Sequence, residues 1–263
     1  MAENLISPLA YIEEGAQIGE GVKIGPFSCI YSDTVIGDGT IIENNVTIFP
    51  GARIGKNCHI FPGACVATTP QDLKFKGEYT TVEIGDGTHL HECVTVHRAT
   101  ASKQVTKIGK NCLIMAYCHV AHDCNVGDGV IMSNSVQMAG EVVVDPCAVI
   151  GGGTLIHQFT HIGSYCMIQG GSGITKDIPP YTMVGRSPAK YMGLNTVGLR
   201  RRGFTAEQIL NIQDIYRLVY ASGYNTTHAC EHIEAEVAPG PERDYILNFI
   251  RTSDRGIIAG NMM

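Results

Sequence analysis

A large aliphatic side chain falls on every sixth residue along most of this chain. One unbroken phase runs from Ile12 through Ile18, Ile24 and Ile30 to Ile60 and Val66. It returns at Ile84, Leu90 and Val96, and again from Ile108 to Ile174. A helix repeats near 3.6 residues and a strand near 2, so neither accounts for a strict period of six. Such a repeat marks a solenoid, and hexapeptides mark a parallel β-helix. Two places before each aliphatic stands a small or β-branched residue, such as Ala16, Val22, Ser28, Cys58, Cys118 and Thr154. Two inward positions two apart describe one short strand against a core. Gly, Asp and Asn follow the aliphatic, as in Ile36-Gly-Asp-Gly39, and these are turn residues. Each hexapeptide therefore reads as a strand and a corner. Three make one coil of a triangular prism, with coils stacked ~4.8 Å apart.

The repeat is silent over 67–83 and 97–107, yet the count keeps phase across both gaps. These segments read as loops ejected from the solenoid, where function tends to sit. Beyond residue 175 the pattern fades into helical spacing. Thr205-Ala-Glu-Gln208 is a capping box, followed by Ile209, Ile212, Ile215, Tyr216 and Val219. Further helices are expected over Thr227–Val237 and from Pro241. The expected fold is mainly β, a β-helix over 1–190 with a C-terminal α-helical domain over 191–263.

Charged residues make up only 17% of the chain and Trp is absent, which suits a core of small and aliphatic side chains. The formal net charge of −6 argues against general nucleic-acid binding. Arg200-Arg201-Arg202, and Lys103, Lys107 and Lys110, are nevertheless local basic groups suited to an anionic ligand or partner. The start MAENLISPLA lacks the basic and apolar regions of a signal peptide, so a cytoplasmic protein is expected. Residues 146–175 contain no Asp, Glu, Lys or Arg, but their Gly content, His157, Gln158 and His161, and the retained hexapeptide phase exclude a membrane span. Ten cysteines are present, and Cys58, Cys112, Cys118, Cys124 and Cys166 fall on inward positions, where they act as small hydrophobes. Free thiols are expected.

The densest chemistry is His119-Val-Ala-His122-Asp123. Both histidines fall off the inward positions. Counting by coils stacks Gly140 and then Gln158 on His122, and Glu141 on Asp123; His157 shares that wall. An imidazole beside a carboxylate can take a proton from a hydroxyl, and a bare Gly backbone can donate to an oxyanion. Two other readings stay open on spacing alone: metal binding by His119, His122, His157 and His161, or plain surface polarity.

These residues, with Pro70-Gln-Asp-Leu-Lys74, His119–Cys124, Ile156-His-Gln-Phe159 and Leu199-Arg-Arg-Arg-Gly-Phe204, resemble the UDP-N-acetylglucosamine acyltransferases of lipid A biosynthesis. The likeness covers nearly the whole chain. It implies a left-handed coil and a homotrimer with active sites between subunits. It implies transfer of an (R)-3-hydroxyacyl group from acyl carrier protein to the sugar 3-hydroxyl, with no cofactor beyond the carrier's phosphopantetheine and no metal. His122 matches the general base, Asp123 its acidic neighbour and Gly140 the oxyanion donor. Asp72, His119, Glu141, Gln158, Asn195, Arg201 and Arg202 match the sugar-nucleotide site. Gln71, Lys74, Gly152, His157, Met167 and Gly170 match the acyl-pantetheine groove.

Two positions depart from the family: Glu141 replaces a common histidine and Val197 a common acid. Gly170 is the position that leaves the groove open to long acyl chains. The rival functions are the N-acyltransferase of the same pathway and a γ-type zinc carbonic anhydrase on the same solenoid.

Overall fold

The computed structural model describes residues 5–260. Most strands are two residues long, and they stack into three sheets of eleven, nine and eight strands, parallel except for the last pair of the first. The first sheet contains His59–Ile60 and Met167–Ile168, the second His119–Val120, and the third Asn125–Val126 and His161–Ile162. Each coil visits the three sheets in turn. Register follows the sequence count: His59 pairs with Ile41 and Gln137 with Leu155, eighteen residues apart.

From Ile24 onward the aliphatic at each sixth position is enclosed, with Ile30, Ile48, Ile60, Ile114 and Ile150 all fully buried. The small partners close the rest of the interior. Where that partner is polar, it bonds to a corner carbonyl: Ser28 Oγ donates to Glu43 O at 2.6 Å and Thr40 Oγ1 to Gly55 O at 2.9 Å. Thiols do the same, Cys118 Sγ to Ser133 O at 3.0 Å and Cys166 Sγ to Pro179 O at 3.0 Å. Burial pushes the Cys118 thiol up to about 11 and Cys166 to about 12, so these are inert packing groups. All ten cysteines are free. Each corner places its third residue after the aliphatic in the left-handed region, which is why Gly and Asn recur there; Asn57 has φ 53° and Asp123 φ 62°.

The ejected loops are shorter than 67–83 and 97–107. Strands Cys65–Thr68 and Thr81–Ile84 run into the first, and Thr95–His97 and Val105–Ile108 into the second. Strand pairing there extends past the hexapeptide, because Thr81 to Ile84 match Val105 to Ile108 residue for residue. The insertions proper are 69–80 and 98–104. The sheet also outlasts residue 190: strand Thr182–Gly185 pairs antiparallel with Lys190–Leu194. Four helices follow, α1 Thr196–Arg201, α2 Ala206–Tyr220, α3 Thr226–Glu236 and α4 Pro241–Arg251. The short α1 carries no apolar period that would mark it in the sequence. Thr205 and Gln208 form the expected capping box of α2.

The helices bury their own core around Leu199, Ile212, Tyr216, Ile233 and Ile246. Among the polar contacts that tie them to the coil is a knot at α4. Tyr245 Oη of α4 donates to Asp145 Oδ2 at 2.6 Å and lies 3.1 Å from Ser164 Oγ, while His161 Nε2 sits 2.9 Å from the same Asp145 oxygen. Tyr245→Phe removes the hydroxyl and is expected to cost about 1–3 kcal/mol. A thermal melt of the variant at wild-type Tm would disprove that role.

Candidate active site

Asp123 occupies the left-handed corner between the second and third sheets, and its side chain is completely enclosed. His122 Nδ1 lies 2.8 Å from Asp123 Oδ2. The loop 98–104 closes over the same carboxylate. Thr100 N donates to Oδ1 at 3.0 Å, Thr100 Oγ1 to Oδ2 at 2.8 Å, and Lys103 N to Oδ1 at 3.1 Å. Burial alone would raise the Asp123 pKa; the bonds from His122, Thr100 and Lys103 outweigh it and hold the group below the usual carboxylate range. A carboxylate only accepts, so Nδ1 carries the hydrogen in this contact, and in the neutral ring the lone pair is on Nε2.

Nε2 and Cε1 lie directly against Gly140. A Cβ added there would stand 2.5 Å from Cε1 and 2.7 Å from Nε2, so only glycine leaves room for the ring. Among the described residues, no acceptor takes the Gly140 N–H. That vacancy belongs to the repeat, in which the second residue of a corner has no backbone acceptor. At other corners an aspartate of the next coil takes this N–H: Glu20 N donates to Asp38 at 3.0 Å, Lys56 N to Asp86 at 2.9 Å and Lys110 N to Asp128 at 2.7 Å. The same backbone position thus holds negatively charged oxygen elsewhere in the chain.

His119 Nδ1 lies 2.7 Å from Thr95 Oγ1, and its ring meets His97 edge-on at 4.7 Å. Burial, and then the neighbouring His122, lower the His119 pKa. Burial, with His119 and His122 close by, pushes His97 down to about 4. His97 Nδ1 is buried without a partner. A groove of about 480 Å³ on the second sheet is lined by His119, Gln137, Ala139, Leu155, His157 and Gly173. A hollow of about 580 Å³ on the third sheet is lined by Lys103, Lys107, Asp123, Glu141, Phe159 and Asp254. The His122 corner divides the two. A further hollow of about 560 Å³, between α2 and Lys190–Leu194, contains none of the expected site residues.

Not all expected residues meet within one chain. His119, His122, Asp123, Gly140, Glu141, His157 and Gln158 cluster at the second–third edge; Ser102 Oγ reaches Glu141 at 3.3 Å. Gln71, Asp72 and Lys74 belong to the loop 69–80, where Asp72 Oδ1 accepts from Lys74 N at 2.9 Å and Gln71 and Lys74 are exposed. Gly152 and Gly170 stack at the first–second edge, where an added Cβ on Gly170 would stand 2.9 Å from Gly152 O, and Met167 faces out from the first sheet. Asn195 and Arg202 meet the third–first edge. Asn195 caps α1, accepting from Gly198 N at 3.1 Å and donating to Tyr165 O at 2.9 Å, and Arg202 Nη1 donates to Cys147 Sγ at 3.0 Å. Arg201 and Val197 are exposed nearby on α1.

The C-terminal part, residues 177–258, matches the family model of UDP-N-acetylglucosamine O-acyltransferase domain 2, and residues 15–50 and 106–140 match bacterial transferase hexapeptide repeats. A solved UDP-N-acetylglucosamine acyltransferase from Bacteroides fragilis is 52% identical over 97% of this chain and 100% of its own, with a TM-score of 0.95. The chain belongs to the UDP-N-acetylglucosamine O-acyltransferase family. The enzymes from Acinetobacter baumannii (39% identical, 97% of this chain and 99% of that, TM-score 0.94) and Francisella novicida (37%, 97% and 94%, TM-score 0.94) are similar throughout. A coil of the opposite hand would not superpose so closely, so this chain shares its relatives' hand. Membership of an O-acyltransferase family displaces the N-acyltransferase and carbonic anhydrase alternatives. Among the described residues, no helix is long and apolar enough to cross a membrane.

Thr95, His97 and Thr100 were missed in the sequence. They fall where the repeat ends or is interrupted, so counting by six assigns them no neighbour.

The depressed His97 pKa has a consequence for stability. Between about 4 and 6.5 the unfolded chain carries a proton there that the folded chain refuses, so stability falls as pH drops through that window. A Tm series should decline over this range, and less steeply in His97→Gln; equal slopes would refute the assignment.

Proposed function

We propose that this chain transfers an (R)-3-hydroxyacyl group from acyl carrier protein to the 3-hydroxyl of UDP-N-acetylglucosamine, at the start of lipid A biosynthesis. One observation carries the reading: the His122 ring, oriented by Asp123 at Nδ1, packs against the bare Cα of Gly140, whose N–H takes no acceptor among the described residues. Nε2 takes the proton of the sugar hydroxyl as its oxygen attacks the thioester carbonyl. The tetrahedral oxyanion accepts the Gly140 N–H. Collapse breaks the carbon–sulfur bond, and the pantetheine thiolate leaves with the proton from His122. Asp123 stabilises the transient imidazolium, and no covalent enzyme intermediate forms.

The residues named for the substrates lie along three edges of one prism, which a single chain cannot bring to one point. This supports a trimer in which the His122 edge of one subunit meets the Gly152–Gly170 and Arg201–Arg202 edges of the next. Asp72, His119, Glu141, Gln158 and Asn195 then serve the sugar nucleotide with those arginines. Gln71, Lys74, His157, Met167 and the two glycines serve the acyl-pantetheine arm, and open Gly170 favours a long chain.

His122→Ala is expected to reduce kcat by ~10²–10⁴-fold, the usual contribution of a positioned base, with the assembly intact. Activity near wild type in an assay with acyl carrier protein thioester and UDP-N-acetylglucosamine would overturn the mechanism. Glu141 adds a negative charge beside the base. Glu141→His removes it, so the acid limb of the pH–rate profile should move to lower pH; an identical profile would exclude that influence.

A further inference from the structure

We propose that the loop 98–104, through Thr100, is the positioning device that keeps Asp123 charged and aimed at His122. The inference rests on the reading of His122 as the base. Asp123 receives four hydrogen bonds on its carboxylate, and three come from this loop. Apart from His122, the coil contributes only a bond from Asp123 N to Thr106 Oγ1 at 2.8 Å, which fixes the backbone and leaves the carboxylate alone. The hexapeptide repeat therefore makes the corner, while the insertion solvates the charge placed there. Without the loop an enclosed carboxylate would face one imidazole and no other donor, and burial would favour its protonation.

Thr100 is the centre of this arrangement. It is itself buried, and it gives one donor to each carboxylate oxygen. Its hydroxyl shares Oδ2 with His122, so the two donors fix that oxygen's position together. Thr100 Oγ1 also accepts from Ser102 N at 3.2 Å, which sets the hydroxyl's direction. The other loop leans on this one: Ala101 N donates to Glu78 Oε1 at 3.2 Å, and Arg98 lies 6.0 Å over the Phe75 ring.

The titratable groups facing the pair are His119 and His97 from the second sheet, and Lys103, Lys107, Glu141 and Asp254 around the third-sheet hollow. None changes when only the Thr100 hydroxyl is removed. With one donor fewer, the Asp123 charge falls more heavily on His122, whose proton is then held more tightly.

The test is the pH dependence of kcat and kcat/KM for Thr100→Val and Thr100→Ser; Thr100→Ala replaces the valine variant if that does not fold. The expected result for Thr100→Val is a kcat lower by roughly 10–100-fold, as for a buried charge that loses one hydrogen-bond donor, with KM for both substrates nearly unchanged. Its acid limb moves to higher pH, and Thr100→Ser restores both. Wild-type kcat and pH profile in Thr100→Val would overturn the proposal. So would equal losses in the valine and serine variants with an unmoved acid limb, the signature of a merely structural role. Activity retained by His122→Ala sinks the underlying reading instead, whatever Thr100 does.

Discussion

Everything in this molecule depends on the stacking of strands too short to stand alone. A two-residue strand makes so few ladder bonds that no coil is stable by itself; each is held by its neighbours above and below. The price of regular stacking is an interior that admits only one large and one small side chain per side. That requirement writes the period of six into the sequence. It also explains why five coil cysteines, several threonines and Ser28 are buried without harm, since corner carbonyls accept from inward hydroxyls and thiols such as Ser28 and Cys118.

The coil and the His122 edge were legible because they obey that count. His122, Gly140 and Gln158 share a column simply by being eighteen apart. The loops were legible only as silence. Their lengths came out too long because Val82 and Thr106 already take the small inward place before Ile84 and Ile108, so the ladder starts ahead of the large aliphatic that marks it. Thr100 had no signal, since its role arises from where a non-repeating segment folds back. Asn195 was read through family likeness, and its side chain proves to cap α1; the cap is a local geometry that a motif does not display.

The site combines two kinds of backbone. The solenoid is rigid and gives His122 and Gly140 fixed separations. The insertions are irregular and provide what a repeat cannot, a closed shell of donors around one buried charge. The Glu141 departure sits where the two meet, bonded to Ser102 of the insertion while following the column of Asp123. A change there alters the electrostatics of the base without disturbing the column that positions it.

The unpaired N–H at the second corner residue reaches beyond this one site. The coil repeats this donor along its edges, and at several corners an aspartate such as Asp38 or Asp86 answers it. Trimming one side chain to hydrogen, as at Gly140, opens a ready-made anion seat with no change in backbone path. A solenoid of this kind can therefore acquire or relocate a reaction centre by single substitutions along an edge, while its scaffold stays the same.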